Sequence, residues 1–277
     1  SLYVGSPNQC QRGSGGTNFS MNREISIRQL SIGYRERRRQ VVVMEGLNGT
    51  IRGGELTCLL GPNGVGKSTL LKTLSAFLPP LSGQVLLDGN DLSAFTPRQL
   101  ARHLGVVLTA KPEAQHLTVE EIVGMGRMPY TGFWGTLQAD DRRVVDGAID
   151  MMGLQTLRNR MAGQLSDGES QRMMIAKALA QQTPVIFLDE PTAFLDFPGK
   201  VELMRLLQRV AHETGKIVFL STHDVEMALQ VADNIWLMLD NGLSVGTPQQ
   251  LSDQGALSRF LNRADIHYDP ATRTIKI

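Results

Sequence analysis

The sequence predicts an α/β fold with a parallel sheet between helices, a small antiparallel β layer ahead of it and a helical lobe inserted into it. Three observations support this prediction. Short, almost continuous apolar runs, typical of strands buried on both faces, end in polar residues. Helical segments alternate with these runs. From residue 109 to about residue 182, however, the apolar spacing is helical throughout.

The composition is that of a single domain with its own core. The chain has 277 residues, 42% of them hydrophobic, which suits one domain with an inserted lobe. The net charge is +1, from 28 basic and 27 acidic residues, which argues against a nucleic-acid partner without excluding one. Cys10 and Cys58 do not suggest a disulfide framework and suit a reducing cytosol, with Cys58 as a core residue. No apolar run approaches the roughly 18 to 20 residues of a membrane-spanning helix.

The domain boundaries follow from changes in composition. Residues 1–20 are polar and rich in Gly and Ser, so we expect a disordered tail, a linker or a vector remnant before a native start at Met21. The domain is expected to cover residues 21–277. Its parts are predicted to be a core over about 21–108 and 183–250, a helical lobe over about 109–182 and a C-terminal extension over about 251–277.

The first elements form the β layer. The alternation of Ile25 and Ile27, continued by Leu30 and Ile32, predicts a strand, and residues 41–43 predict its partner. Tyr34 and a run of arginines lie between them. The arginines are interpreted as a solvated turn. A rigid aromatic ring just ahead of a phosphate loop can stack on a purine, but an exposed loop aromatic or a core residue explains Tyr34 equally well.

Residues 61–69 read GPNGVGKST and fit the phosphate-binding pattern G-x-x-x-x-G-K-[ST] without a mismatch. A short apolar strand over residues 56–60 precedes them, and a helical pattern follows. This order points the helix N-terminus at phosphates. The glycines let backbone N–H groups approach phosphate oxygens, Lys67 adds a positive charge, and Ser68 offers a hydroxyl to Mg²⁺. The loop alone leaves open a kinase, a GTPase or a motor.

The following elements complete one half of the core and begin the lobe. Residues 84–92 predict two strand segments around an Asp-Gly turn, 97–103 a short helix and 104–108 a buried strand. Residues 118–121 form a capping-box pattern that opens a helix. A second helix carries an apolar stripe of Val144, Val145, Ala148, Ile149 and Met152.

The core resumes at residues 184–190, an apolar strand that ends in Asp189 and Glu190. A helix near 201–211 and a strand over 217–220 follow, and the strand runs into Ser-Thr-His-Asp at 221–224. Ligands of such sheets bind at the carboxyl ends of the strands. Asp189 is therefore predicted to hold Mg²⁺ through water, and Glu190 to orient or deprotonate the water that attacks the γ-phosphate. A solvated turn is the alternative.

The last elements carry no chemistry that we recognise. Residues 235–245 predict a closing hairpin, and the tail after it predicts one more helix and a strand pair.

Residues 165–172 read LSDGESQR, about twenty residues before Asp189. Ser166 and Glu169 make a capping box at the start of an apolar helix. A capped helix start with a glycine also presents free N–H groups to an anion, so this stretch is a second candidate phosphate contact. If it serves the nucleotide of a neighbouring subunit, the active unit is a dimer.

Five motifs together resemble the ATPase subunit of ABC transporters. They are GPNGVGKST, LSDGESQR, VIFLDEPT, AFLD and STHD, in this order, and the resemblance covers about residues 22–250. It implies a P-loop NTPase (RecA-like) core, ATP and Mg²⁺ as ligands, ATP hydrolysis, and a homodimer that forms through ATP. It also implies membrane permease subunits as partners, a substrate-binding protein as an indirect one, and a cytoplasmic position on the inner face of the cell membrane.

The resemblance also implies residue roles. Glu190 would be the general base, His223 a γ-phosphate-sensing switch, and Lys67 a phosphate ligand, although spacing alone also allows a buried structural histidine at 223. Asp196 would lie in the dimer-interface loop, and Ser166 and Gly168 would complete the site of the opposite subunit. The nucleotide contacts implied are Tyr34, Gly61, Asn63, Gly64, Gly66, Lys67, Ser68, Thr69, Ser166, Gly168 and Asp196. The metal contacts implied are Ser68, Asp189 and Thr109.

Three departures from the family pattern affect these roles. Thr109 stands where the family usually has glutamine, so either this threonine or a neighbour such as Gln115 does that work. The signature reads LSDGE in place of LSGGQ, which keeps its serine and second glycine. Ala193 and Phe194 replace the usual Ser-Ala, which removes a serine contact from the interface loop.

Residues 118–130 resemble the helical lobe of importers for iron-siderophore, haem and cobalamin, which implies a metal-chelate importer. Phe133 and Trp134 beyond them would face the permease or pack in the core. The sequence also allows two other functions. One is a non-transport ABC ATPase acting on nucleic acid or ribosomes, and the other is a P-loop kinase or signalling switch.

Overall fold

The computed structural model describes most of the chain. It covers residues 23–36, 39–108, 114–131, 135–240, 242–261, 267–269, 271–272 and 274–276. The predictions for residues 1–20, for Thr109 and for Phe133 and Trp134 lie outside the described residues.

Twelve strands form two sheets and a separate hairpin within this part of the chain. The strands are β1 (Glu24–Glu36), β2 (Arg39–Arg52), β3 (Leu56–Leu60), β4 (Ser82–Leu87), β5 (Asn90–Asp91), β6 (Leu104–Val107), β7 (Val185–Asp189), β8 (Ile217–Ser221), β9 (Asn234–Leu239), β10 (Gly242–Gly246), β11 (His267–Asp269) and β12 (Thr274–Lys276).

Ten α-helices connect the strands of the described residues, with short 3₁₀ turns between some of them. They are α1 (Lys67–Leu74), α2 (Pro97–His103), α3 (Val119–Gly124), α4 (Met128–Thr131), α5 (Ala139–Met151), α6 (Asp167–Ala180), α7 (Phe197–Thr214), α8 (Val225–Val231), α9 (Pro248–Asp253) and α10 (Ala256–Leu261). None of the described helices is both long and apolar enough to cross a membrane.

The antiparallel sheet has the strand order β2-β1-β4-β5, which confirms the predicted β layer. In β1, Ile25 and Ile27 are buried, and so are Leu30 and Ile32. In a regular strand, odd-numbered and even-numbered residues would point to opposite faces. The register shifts between Ile27 and Leu30, where Gln29 has φ of +47°. This bulge keeps both pairs buried on one face.

The larger sheet has the order β10-β9-β3-β8-β7-β6, and all of its pairs are parallel except β9 with β10. The prediction of a closing hairpin at residues 235–245 was therefore incomplete. Its first strand, β9, pairs in parallel with β3 and widens the central sheet. Strand order depends on contacts between distant segments, which local spacing does not record.

Two hydrophobic cores cover the two faces of this sheet. In β3, Leu56, Cys58 and Leu60 face a core shared with the helices α3, α5, α6 and α7, whereas Leu59 faces a core shared with the antiparallel sheet and α1. The alternation is that of a strand buried on both sides. Cys58 is fully buried, which confirms its role as a core residue, and burial raises the pKa of its thiol.

The predicted helical lobe corresponds to α3, α4, α5 and α6, which lie between β6 and β7 along the chain. The capping boxes predicted at Thr118 and Ser166 are both formed. After β10 the chain has two short helices, α9 and α10, where we predicted one. They are separated at Gly255, whose φ of +69° suits a glycine that ends a helix. The predicted strand pair is β11 with β12.

Candidate functional site

The site lies where three parallel strands of the central sheet end side by side. Leu59 of β3 pairs with Ser221 of β8, and Ser221 pairs with Asp189 of β7. Neighbouring strands lie about 4.8 Å apart, so this row spans about 10 Å. The phosphate loop begins two residues after Leu59, and the acidic pair begins with Asp189. The fold therefore brings the predicted phosphate loop and the predicted acids together across Ser221.

The phosphate loop needs glycine at its two ends. A Cβ atom on Gly61 would lie 2.5 Å from the carbonyl oxygen of Met238, and one on Gly66 would lie 2.5 Å from Cγ1 of Val43. Gly66 also has φ of +114°, which residues with side chains rarely adopt. Asn63 and Gly64 are exposed at the turn of the loop. The loop backbone is thus held against the core at both ends while its centre faces outward.

Lys67 is the first residue of α1, and its side chain is folded over the phosphate loop. Its Nζ donates hydrogen bonds to the carbonyl oxygens of Gly61 at 2.8 Å and Pro62 at 3.0 Å. Burial lowers the pKa of Lys67, and the negative charges of Glu190 and Asp189 oppose this shift. The ammonium group therefore lies in the field of both carboxylates. A bound phosphate would add further negative charge beside it.

Tyr34 of β1 lies beside the start of α1. Its hydroxyl is 2.9 Å from Oγ1 of Thr69, and the residue is 40% exposed. This exposure excludes the interpretation of Tyr34 as a core residue. The ring is held next to the phosphate-loop helix with a free surface, as adenine stacking requires. Stacking itself stays a prediction.

Asp189 and Glu190 are held by one hydroxyl group. Ser221 Oγ donates to Oδ1 of Asp189 at 2.7 Å and accepts from the backbone N–H of Glu190 at 3.0 Å. Glu190 has φ of +46°, an uncommon conformation for a residue other than glycine and one that is often found at functional sites. We assigned no role to Ser221 from the sequence. The only signal was a polar residue at a strand end, which gains meaning once the order of the strands is known.

His223 faces the second acid of the pair. Its Nε2 contacts Oε1 of Glu190, and its side chain is 48% exposed, so it is not a buried structural histidine. The residue after it, Asp224, makes an ion pair of 2.8 Å with Lys200 of α7. This pair fixes the segment that carries His223. The carboxylate of Glu190 and the imidazole of His223 are thus in contact, and both side chains are partly exposed to solvent.

Ser166 and Gly168 belong to a different part of the molecule, the start of α6. The Oγ of Ser166 accepts from the N–H of Glu169 at 3.2 Å, and a Cβ on Gly168 would lie 2.7 Å from Cδ2 of Leu195. Asp196 is the N-cap of α7 and accepts from the N–H of Gly199 at 3.0 Å. These contacts give Ser166 and Asp196 capping functions. Whether they also meet a nucleotide or a second subunit stays a prediction.

Ser68 of α1 and Asp189 at the end of β7 suit Mg²⁺. Ser68 is exposed beside Lys67, and its hydroxyl and the carboxylate of Asp189 are the oxygen ligands that this ion prefers. In the part of the chain that the structure describes, no cluster of three His, Cys, Asp or Glu side chains forms a metal site. Mg²⁺ does not need such a cluster, since it usually takes one or two protein oxygens together with water and substrate phosphates. The third predicted metal residue, Thr109, is not among the described residues.

The comparisons with known proteins agree with this geometry. The profile of the family described as ABC transporter matches residues 44–193. The iron(3+)-hydroxamate import ATP-binding protein FhuC of Bacillus subtilis is 36% identical over 252 residues, which are 90% of this chain and 91% of that protein.

Two solved structures have the same fold. One chain, described as belonging to a metal-chelate type ABC transporter in an inward-facing conformation, gives a TM-score of 0.72 at 26% identity, over 86% of this chain and 90% of that chain. A dimeric ATP-binding cassette in a post-hydrolysis state, bound to ADP and Pi, gives a TM-score of 0.70 at 27% identity, over 81% of this chain and 98% of that chain.

Proposed function

The chain belongs to the ABC transporter family and is an ATPase, and from this premise we propose that it powers an importer for a metal chelate. The observation that carries the ATPase part of the proposal is the meeting of the phosphate loop, Asp189, Glu190 and His223 at the carboxyl ends of the central strands. A site with these groups can bind a triphosphate and direct a water molecule at its last phosphorus atom.

The roles follow from position and chemistry. Lys67 and the loop N–H groups bind the phosphates of ATP. Ser68 and Asp189 hold Mg²⁺, which when bound neutralises charge on the phosphate oxygens. Glu190 accepts a proton from the attacking water, and His223 holds the Glu190 carboxylate in place and contacts the γ-phosphate. Tyr34 stacks on adenine.

The substrate class is supported by two relatives and by one stretch of sequence. FhuC of Bacillus subtilis is an iron-hydroxamate import protein, and one matching structure is described as a metal-chelate type transporter. Residues 118–130, which resemble such importers, form α3, a 3₁₀ turn and most of α4. These relatives favour a transporter over a nucleic-acid machine or a kinase. The permease would then be a separate membrane partner of this chain.

The active unit is proposed to be a dimer with shared sites. One matching structure is a dimeric cassette. Ser166 lies exposed at the start of α6, where it can face a second copy of the chain. In the dimer, Ser166 and Gly168 of one copy would complete the site formed by Lys67 and Glu190 of the other.

Uptake by cells tests the transport proposal. In the source cells, the gene is replaced by one carrying Lys67→Ala, and uptake of radiolabelled ferric siderophore, haem and cobalamin is measured. We expect the uptake of one of these chelates to fall to background, because Lys67 contacts the phosphate loop. Lys72→Ala is the matched control, since Lys72 is an exposed lysine of the same helix. Wild-type uptake of all three chelates in Lys67→Ala cells that make normal amounts of the protein would refute metal-chelate import.

A further inference from the structure

We propose that Ser221 is a positioning residue for ATP hydrolysis, whose hydroxyl fixes the carboxylate of Asp189 and the backbone of Glu190 relative to one another. The inference rests on the proposed roles of Asp189 and Glu190. It adds to them the group that sets the distance and direction between the metal-holding acid and the general base.

In its two hydrogen bonds the Ser221 hydroxyl is the donor in one and the acceptor in the other. Ser221 Oγ donates its one proton to Oδ1 of Asp189 at 2.7 Å, and its lone pair accepts from the N–H of Glu190 at 3.0 Å. Ser221 is 1% exposed, so its hydroxyl is shielded from solvent and its partners are these two groups of the protein. With donor and acceptor both engaged, the hydroxyl cannot rotate without losing a bond to one of the two acids.

The bond to Glu190 acts on an unfavourable backbone conformation. Glu190 has φ of +46°, and residues with a Cβ adopt this region only when their surroundings hold them there. The N–H of Glu190 is anchored to Ser221, and its side chain contacts His223. Without the hydroxyl, the backbone can relax towards the extended conformation of β7, which would turn the carboxylate away from the phosphate loop.

Ser221 can serve as an anchor because it lies on a central strand. In the sheet it pairs with Leu59 on one side and Asp189 on the other, and the N–H of the next residue, Thr222, donates to the carbonyl oxygen of Leu59 at 3.2 Å. Groups held on packed strands are placed more accurately than groups on loops. Through its two hydrogen bonds, the hydroxyl thus holds both acidic residues in a fixed position relative to β8.

The experiment measures kcat and KM for ATP, together with the Kd for ATP, in purified Ser221→Ala and Ser221→Thr. We expect Ser221→Ala to lower kcat about 10- to 100-fold, as small misplacements of catalytic groups do, with less than about a threefold change in KM and Kd. Ser221→Thr keeps the hydroxyl and should recover most of the loss in kcat. If Ser221→Ala does not fold, Ser221→Cys carries the same test, because a thiol hydrogen-bonds weakly.

Thr183→Ala is the matched control. Thr183 is also buried, just before β7, and its hydroxyl donates to the carbonyl oxygen of Val185 at the opposite end of that strand. This variant removes a buried hydrogen bond of the same kind and should keep the wild-type kcat. A fall in kcat of the same size in Thr183→Ala would show that Ser221 acts only through stability and would overturn the proposal.

Glu190→Gln distinguishes a failure of the proposed role of Ser221 from a failure of the proposed role of Glu190. If Glu190→Gln is inactive while stable Ser221→Ala or Ser221→Cys has the wild-type kcat, the positioning role of Ser221 is wrong and the proposed role of Glu190 stands. If Glu190→Gln hydrolyses ATP at the wild-type rate, the proposed general base is wrong. Ser221 then has no base to position.

Discussion

At the residue scale, the chemistry depends on side chains that local geometry forces into specific positions. Glu190 combines an unfavourable φ of +46° with contacts to Ser221 and His223. Lys67 is buried over the phosphate loop at a cost in solvation, which lowers its pKa even beside two carboxylates. The strained backbone of Glu190 and the buried ammonium of Lys67 each cost stability, as residues at functional sites often do.

Tyr34 allows the base and the phosphates of the nucleotide to be tested separately. Tyr34→Ala removes the ring, and we expect the Kd for ATP to rise about tenfold, since stacking of a base on an aromatic ring contributes about 1 to 3 kcal/mol. Tyr34→Phe keeps the ring and loses only the hydrogen bond to Thr69, so its Kd should stay within about threefold of the wild type. Titration calorimetry measures both variants.

Tripolyphosphate is the control ligand for Tyr34, because it has the phosphates without the base. Its Kd should be equal for the wild type and Tyr34→Ala. An equal loss of affinity for ATP and tripolyphosphate would mean that Tyr34 supports the phosphate loop through Thr69 and does not stack on adenine.

At the element scale, one buried arginine joins the helices of the lobe. Arg127, just before α4, makes an ion pair of 2.8 Å with Asp141 of α5 and donates to the carbonyl oxygen of Ala180 at the end of α6 at 2.9 Å. The side chains of Arg127 and Asp141 are 8% and 10% exposed. The guanidinium also lies 4.2 Å from the ring centroid of Tyr130. Arg127 thus connects α4, α5 and the C-terminal end of α6.

Arg127→Met should lower the free energy of unfolding by about 3 to 5 kcal/mol, because it leaves a buried carboxylate without its partner. Urea unfolding measures the loss. The matched control is Arg143→Met, which breaks the pair with Asp140 on α5, where the side chains are 80% and 92% exposed, and should cost less than about 1 kcal/mol. Arg127→Met/Asp141→Leu should recover part of the loss. Equal costs for Arg127→Met and Arg143→Met would refute the role of burial.

Lys216, directly before β8, should make stability depend on pH. Its ammonium donates to the carbonyl oxygen of Thr183, while burial, with a smaller effect from the positive charge of Arg23, lowers its pKa to about 8. In the unfolded chain a lysine titrates near 10.4. Between these two pKa values the unfolded state binds more protons than the folded state, so the free energy of unfolding rises with pH across this window. Below about pH 8 the buried ammonium lowers the free energy of unfolding by its full amount.

Urea unfolding of the wild type and Lys216→Met at pH 7 and pH 10.5 tests this dependence. The difference in unfolding free energy, wild type minus variant, should rise by about 1 to 3 kcal/mol between the two values. Lys216→Arg is a second reference, since its guanidinium stays charged over this range, and it should give the same rise. A difference that does not change with pH would show that the amine titrates alike in both states.

Elements fixed by neighbouring residues could be predicted from the sequence, whereas pairing between distant segments could not. The capping boxes at Thr118 and Ser166 depend on residues three positions apart, and both are formed. The spacing of Ile25 to Ile32 predicted a strand, but the bulge that keeps its face buried appears only in the register with β2. Ser221 was missed for the same reason, because its importance comes from lying between Leu59 and Asp189.

At the scale of the whole molecule, the fold separates two groups of predicted site residues. Lys67 and Glu190 lie close together at the carboxyl ends of the central strands, while Ser166 and Gly168 lie at the start of α6 in the lobe. The loop between Glu190 and α7 runs past this helix start, where Leu195 packs against Gly168. One chain thus presents a phosphate loop with its acids on one part of its surface and a capped helix start on another. Two such chains related by a twofold axis can complete two equal sites.

Mixing two inactive variants tests whether the sites are shared between copies. Lys67→Ala inactivates the phosphate loop. Ser166→Asp keeps a good N-cap for α6 but places a negative charge against the phosphates. Each variant alone should be inactive, since both of its sites carry the defect. In a mixed dimer, however, one site combines the intact Lys67 of one copy with the intact Ser166 of the other. An equimolar mixture should therefore recover up to about a quarter of the wild-type ATPase rate.

The control mixture combines Lys67→Ala with Glu190→Gln. Both residues belong to the same side of the site, so no mixed dimer contains an intact one, and the mixture should stay inactive. Recovery that depends on total protein concentration, and that occurs only with Ser166→Asp, would follow from sites completed across a dimer. No recovery in the mixture of Lys67→Ala and Ser166→Asp would contradict this arrangement, because it is the result expected if each chain contains a complete site. A Ser166→Asp variant that hydrolyses ATP normally by itself would remove Ser166 from the site, and recovery in the control mixture would show that the recovered activity does not come from shared sites.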